Sequence, residues 1–198
     1  MRSGLLGLAT LALMLLVSGC AGVVTRPEGE PPADARPVLL LDHGRHSSLV
    51  LTRSDHSLVR YLYGDWRWYA ERDTGVLRVL PTLFAPTLSA LGRRELSGPP
   101  GEDSVRRQIP VHIQRVHVLA ASAERIDALD LRLSAQFAAR AEALLFNPDY
   151  DLEFIPGPRP YTLFDNSNHM VADWLEELGI VVRGNPVFGR WRVRAEPR

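Results

Sequence analysis

The longest apolar run stands near the start of the chain. Residues 5–17 carry no charge, follow the single cation of Arg2, and lead into Val17-Ser18-Gly19-Cys20. A run of about a dozen residues is too short for a bilayer span, which takes roughly 20. Residues 21–37 (AGVVTRPEGEPPADARP) then mix Pro, Gly, Ala and charge without periodicity, a composition that predicts a flexible tether. Two compact apolar runs follow, 38–42 (VLLLD) and 48–52 (SLVLT). Each predicts a buried strand, and only a short polar turn separates them. Residues 56–70 are mixed and hold the aromatic cluster YLYGDWRWY at 61–69, whereas 75–91 are apolar but interrupted by Pro81 and Pro86. The prolines limit that stretch to short helices joined at bends. Residues 97–103 (SGPPGED) predict a loop, and 111–119 alternate with a change of parity near Arg115, as a bulged strand or two strands would.

The clearest helical period runs from Ser122 to Leu145, where Ile126, Leu129, Leu133, Phe137, Ala141 and Leu144 recur on one face and Ser122 can cap the start. The proline-rich residues 147–160 predict a loop. Asp165-Asn166-Ser167-Asn168 then opens a second helix, with Val171, Trp174, Leu175 and Leu178 on one side and Gly179 at its end. Residues 180–182 and 190–194 predict closing strands. Strands and helices mix without a βαβ rhythm, so the fold class predicted is α+β, with a small antiparallel sheet packed against helices.

Composition sharpens this picture in three ways. The formal charge is zero, and all 23 basic residues are arginines scattered along the chain. That dispersal gives no basic patch for nucleic acid, so no nucleic-acid partner is expected. The sole cysteine, Cys20, leaves no internal disulfide and falls directly behind the apolar leader. A cationic start, an apolar stretch and small residues at its end make a secretory signal. The ending Val17-Ser18-Gly19-Cys20 resembles a lipobox, at which the cysteine is acylated and the leader removed.

The chain thus divides into a lipoprotein signal (1–19), a lipidated N-terminus and tether (20–37), and one domain (38–198). By resemblance to sorted lipoproteins, Ala21 after the cysteine implies lipid anchoring in the outer membrane, facing the periplasm. The membrane, through Cys20, is the partner expected.

Two segments carry candidate chemistry: Asp42-His43-Gly44-Arg45-His46-Ser47-Ser48 and Asn166-Ser167-Asn168-His169. A hydroxyl at a helix N-terminus feels free backbone N–H groups and the positive end of the helix dipole. A histidine from a neighbouring strand can act on it as base and then acid. The plainer reading makes Ser167 a helix cap and His46 a structural histidine. His43 and His46, with His169 as a third, also form a weak alternative metal set, which requires Gly44 to turn the chain so that the ligands converge. Asn166, Asn168 and Asp65 are candidates for orienting the base.

Together these segments resemble the domain of unknown function 2459 family of bacterial membrane-associated proteins, which looks like a member of the circularly permuted NlpC-type papain-like fold. In that fold an early His-Gly-Trp-His-Thr-Gly segment opens a strand and a late Asn-Cys-Asn-x-Trp segment opens a helix. The stretch YLYGDWRWY and Ala85-Pro86-Thr87-Leu88-Ser89 resemble further family pieces, so the likeness runs across most of residues 38–180.

The resemblance implies His46 as base and Ser167 at the nucleophile position. It needs no cofactor, and a cell-wall peptide or a lipid is the substrate class. The chain departs from the pattern by carrying Ser167 for the cysteine and Arg45 for the tryptophan. A dipole contribution of about 0.3–1 kcal/mol leaves a serine hydroxyl far from ionised. Two readings follow: a binding or structural lipoprotein with weak or no catalysis, or a Ser/His amide or ester hydrolase or acyltransferase.

Overall fold

The two apolar runs, 38–42 and 48–52, form an interior hairpin of a seven-stranded antiparallel sheet. The computed structural model describes residues 22–26, 31–74 and 85–195. The signal segment, Cys20 and residues 75–84 lie outside these. Strands are β1 (Gly22–Arg26), β2 (Arg36–Asp42), β3 (Ser47–Thr52), β4 (Leu58–Asp65), β5 (Ser89–Leu96), β6 (Arg115–Ala121), β7 (Leu145–Asn147), β8 (Leu152–Pro156), β9 (Val181–Arg183) and β10 (Trp191–Ala195). Helices are α1 (Trp66–Tyr69), α2 (Glu102–Gln108), α3 (Ala123–Ala139) and α4 (Ser167–Glu177). The architecture is α+β. None of the described helices is long and apolar enough to cross a membrane.

The large sheet runs β6-β2-β3-β4-β5-β8-β7. Its central strands are buried on both faces, so their sequence reads as continuous apolar runs rather than as alternation. On one face Val38, Leu40, Leu49, Leu51, Tyr61 and Tyr63 pack under α3 and α4. On the other, Leu39, Leu41, Val50 and Leu58 meet Val105 of α2 together with Ile109 and Ile113.

The structure corrects several expectations. Residues 56–70 contain β4, a full strand obscured by an arginine, Arg60, that lies wholly inside. Ser89–Leu91 belong to β5, and the proline-rich 147–160 contain β8; in both cases sheet pairing overrides the local proline signal. Pro156 sits at the end of β8, where a missing N–H disturbs the ladder least. Helix α2 was hidden behind a loop signal. Helix α3 stops at Ala139 rather than reaching 145, because a 3₁₀ turn at Ala141–Ala143 redirects the chain into β7. Its buried positions Ile126, Leu129, Leu133 and Phe137 are those the period marks. The parity change near Arg115 marks the start of β6.

The largest departure is at the supposed tether. Residues 22–26 form β1, the middle strand of a second sheet, β10-β1-β9. It pairs parallel with β10 and antiparallel with β9. Val24 is fully buried in the main core. The run GVV is short, but a strand flanked on both edges gains its stability from pairing and burial rather than from length.

Candidate functional site

The site is assembled at one end of the large sheet, where the β2–β3 turn meets the N-terminus of α4. The turn is tightly specified. The Asp42 carboxylate accepts from Gly44 N–H at 2.7 Å, and His43 N–H donates to the His46 carbonyl at 2.9 Å. Gly44 has φ +96°, and a Cβ there would also strike the Gln114 amide at 2.7 Å; glycine is required on both counts. His46 is thereby held at the head of β3.

Across the gap, Asn166 caps α4. Its side-chain oxygen accepts from Asn168 N–H at 2.9 Å, and His169 reaches back to complete a capping box. Ser167 is therefore the first residue of the helix and not its cap, and its hydroxyl is released for another partner. That partner is His46, whose Nδ1 lies 3.2 Å from Ser167 Oγ. The strand imidazole and the helix hydroxyl, 121 residues apart in the chain, face each other.

A buried chain of hydrogen bonds fixes this approach. Trp191 Nε1–H donates to Ser47 Oγ at 2.5 Å, and Ser47 donates to Asn168 Oδ1 at 2.6 Å. The Asn168 amide then donates to the carbonyls of Arg45, at 2.9 Å, and Val187, at 3.1 Å. One side chain thus ties α4 to the β2–β3 turn and to the loop before β10. Asn166 is similarly spent on the Leu163 and Val187 carbonyls. Neither asparagine touches His46: both position the elements that carry the pair.

Asp65 orients no histidine either. Its carboxylate caps α1 through Trp68 N–H and accepts from the Thr87 hydroxyl. Among the described residues no carboxylate is hydrogen-bonded to His46. Its ring instead meets the edge of Tyr69 at 5.9 Å and 89°. Tyr69 lies close over Gly64, where a Cβ would overlap its ring.

Burial first, and then the positive charge of Arg45, push the His46 imidazole down to about 4. The ring is neutral at pH 7, but its protonated form is disfavoured by roughly 3 kcal/mol relative to an ordinary histidine. Ser167 is itself completely buried, 0% exposed. A general base works best with a pKa near the ambient pH, so this pair has the geometry for proton transfer and a poor driving force.

The alternative metal set is not assembled. His43 directs Nδ1 to the His112 carbonyl and Nε2 toward Ser48 and Arg60, while His169 contacts Asn185 and Asn166. Among the described residues no group of three metal-binding side chains converges. The ring nitrogens that a cation would need serve other bonds.

Sequence reasoning missed three contributors. Ser47 and Trp191 form the floor of the site, and the Tyr161 phenol lies near the Ser167 backbone. Burial, followed by the charge of Asp65, raises the Tyr161 phenol well above its usual range, so it is neutral. An isolated Tyr or Trp carries no local signal for such roles. The chain matches no protein-family model, no curated protein and no solved structure.

Proposed function

We propose that this chain is an outer-membrane lipoprotein, acylated at Cys20 and facing the periplasm. Its domain keeps a permuted papain-like arrangement and serves as a binding or structural protein of the cell envelope with little or no catalysis. The observation that carries this reading is the state of the pair: a buried Ser167 hydroxyl 3.2 Å from a neutral His46 that no carboxylate orients among the described residues. The order of parts supports the fold, since the histidine precedes a central strand and the hydroxyl opens the late helix packed on that strand. Serine in place of cysteine and a depressed imidazole each weaken acyl transfer.

The second reading, a Ser/His hydrolase or acyltransferase acting on a cell-wall peptide or lipid, is favoured by one observation: Asn166 caps the helix, which leaves the Ser167 hydroxyl to His46. Labelling with a fluorophosphonate probe separates the two. The first reading expects the parent chain to remain unlabelled, and Ser167→Cys, as buried as the serine it replaces, to react with iodoacetamide more slowly than an exposed cysteine does. Labelling of the parent that disappears in both Ser167→Ala and His46→Ala would establish the enzyme instead.

A further inference from the structure

Strand directions bring the N-terminus of the described chain to the site. Helix α4 runs away from Ser167, and β9 returns toward it. The loop at 184–190 then crosses the α4 N-terminus, where the Val187 carbonyl accepts from both Asn166 and Asn168. From that loop β10 departs, beginning at Trp191, and β1 runs parallel to it with Gly22 opposite Trp191. Gly22 packs so closely on the Trp191 ring that a Cβ would lie 2.8 Å from it. The other edge of that indole donates to Ser47 in the floor of the site. One side chain therefore separates Gly22 from the network that aligns His46 with Ser167.

Cys20 precedes Gly22 by two residues, a reach of at most about 7 Å. From Gly22 onward the chain is fixed, because β1 is built into the core through Val24. This end of the domain also displays two large apolar side chains. Phe164, in the turn leading to α4, is 73% exposed, and Phe188, in the loop before β10, is 42% exposed. Arg190 is exposed two residues after Phe188 in the same loop, and Arg45 is exposed in the β2–β3 turn, against whose backbone Gly189 of that loop packs. The opposite end presents the polar β3–β4 turn, with Ser54, Asp55 and His56 exposed, about 20 Å away along β3. Aromatic side chains accompanied by arginines suit the interfacial layer of a bilayer.

We infer that the site end of the domain docks on the bilayer that holds the anchor, with Phe164 and Phe188 seated at headgroup level and the buried Ser167–His46 pair behind that face. The inference rests on acylation of Cys20. Because the chain has no other cysteine, a single introduced thiol can be labelled selectively in the acylated protein. Phe164→Cys, Phe188→Cys and Asp55→Cys, each carrying an environment-sensitive fluorophore, are reconstituted in phosphatidylethanolamine–phosphatidylglycerol vesicles containing a headgroup-level spin-labelled lipid.

Quenching at positions 164 and 188 is expected to exceed that at 55 at least twofold. Equal quenching at all three positions, or stronger quenching at 55, overturns the docking. Protection of 164 and 188 that grows with protein density and is insensitive to the lipid quencher also overturns it, because a second copy then covers the patch. Mass spectrometry of the same preparation reads the anchor. An unacylated chain removes the lipoprotein reading and this inference together, whereas an acylated chain with unquenched labels removes only the inference.

Discussion

Ser47 and Ser48 are neighbours on β3 that point to opposite faces of the sheet, and each is the centre of a buried polar cluster. On the α4 side, Ser47 links Trp191 to Asn168, and the donors and acceptors along that chain are all used. On the other side, Ser48 accepts from Arg60 Nε at 3.0 Å and contacts His43 Nε2 at 2.9 Å, while Arg60 Nη2 lies 3.3 Å from the same ring nitrogen. Arg60 is completely buried, faces no carboxylate among the described residues, and leaves Nη1 without a partner. Burial pushes its guanidinium down to about 10, so it remains charged at neutral pH. The saturated cluster defines where two elements meet. The unsaturated one holds a cation whose desolvation its neutral neighbours offset only in part. Buried polarity is therefore stabilising in one place and a liability in the other, within a single strand.

Asn168→Ala is the strongest test of the contrast. It strips partners from the Ser47 hydroxyl and from the Arg45 and Val187 carbonyls, so a loss of about 4 kcal/mol is expected in urea unfolding. A loss below about 1 kcal/mol would mean that water replaces these bonds and that the network fixes nothing.

The two histidines supply the next test. Burial leads in both cases, holding His46 at about 4 and His43 at about 3, against an ordinary value of 6.5. Above pH 6.5 neither state binds these protons. As pH falls below 6.5 the unfolded imidazoles protonate and the folded ones do not, so stability drops until the folded values are reached. Between pH 6.5 and 5 the slope from the pair approaches about 2.7 kcal/mol per pH unit. His46→Gln should reduce it to about 1.4, measured as unfolding free energy across that window. An unchanged slope would show that His46 is protonated in the folded protein.

The smallest effect is expected on the unsaturated side. Arg60→Met removes the lone buried cation at similar volume, so stability should stay within about 1 kcal/mol of the parent or rise. A loss of several kcal/mol would reveal a counter-charge that Arg60 serves.

What could be read from the sequence divides along the same physical line. The α4 start, with Asn, Ser, Asn and His in succession, and the Gly44 turn ahead of β3 were legible because capping and left-handed turns are encoded within a few residues. So were Ile126, Leu129, Leu133 and Phe137, whose spacing is a property of one helix. β4 was not legible, since a strand buried on both faces loses its alternation and Arg60 reads as solvent-facing. β1 was not legible either: Gly22–Arg26 resembles linker until β9 and β10, from the far end of the chain, supply both of its neighbours. Nor could Trp191 be tied to Ser47, because that contact depends on topology rather than on spacing.

The parallel pairing of β1 with β10 joins the first described residues to nearly the last. A growing chain therefore leaves one edge of β1 open until residues 191–195 emerge, and the indole that floors the site arrives only with them. Site assembly thus waits on β10. A product cut short before Trp191 would present the unpaired edge of β1 to proteases and to other chains, and that exposure would mark it for removal.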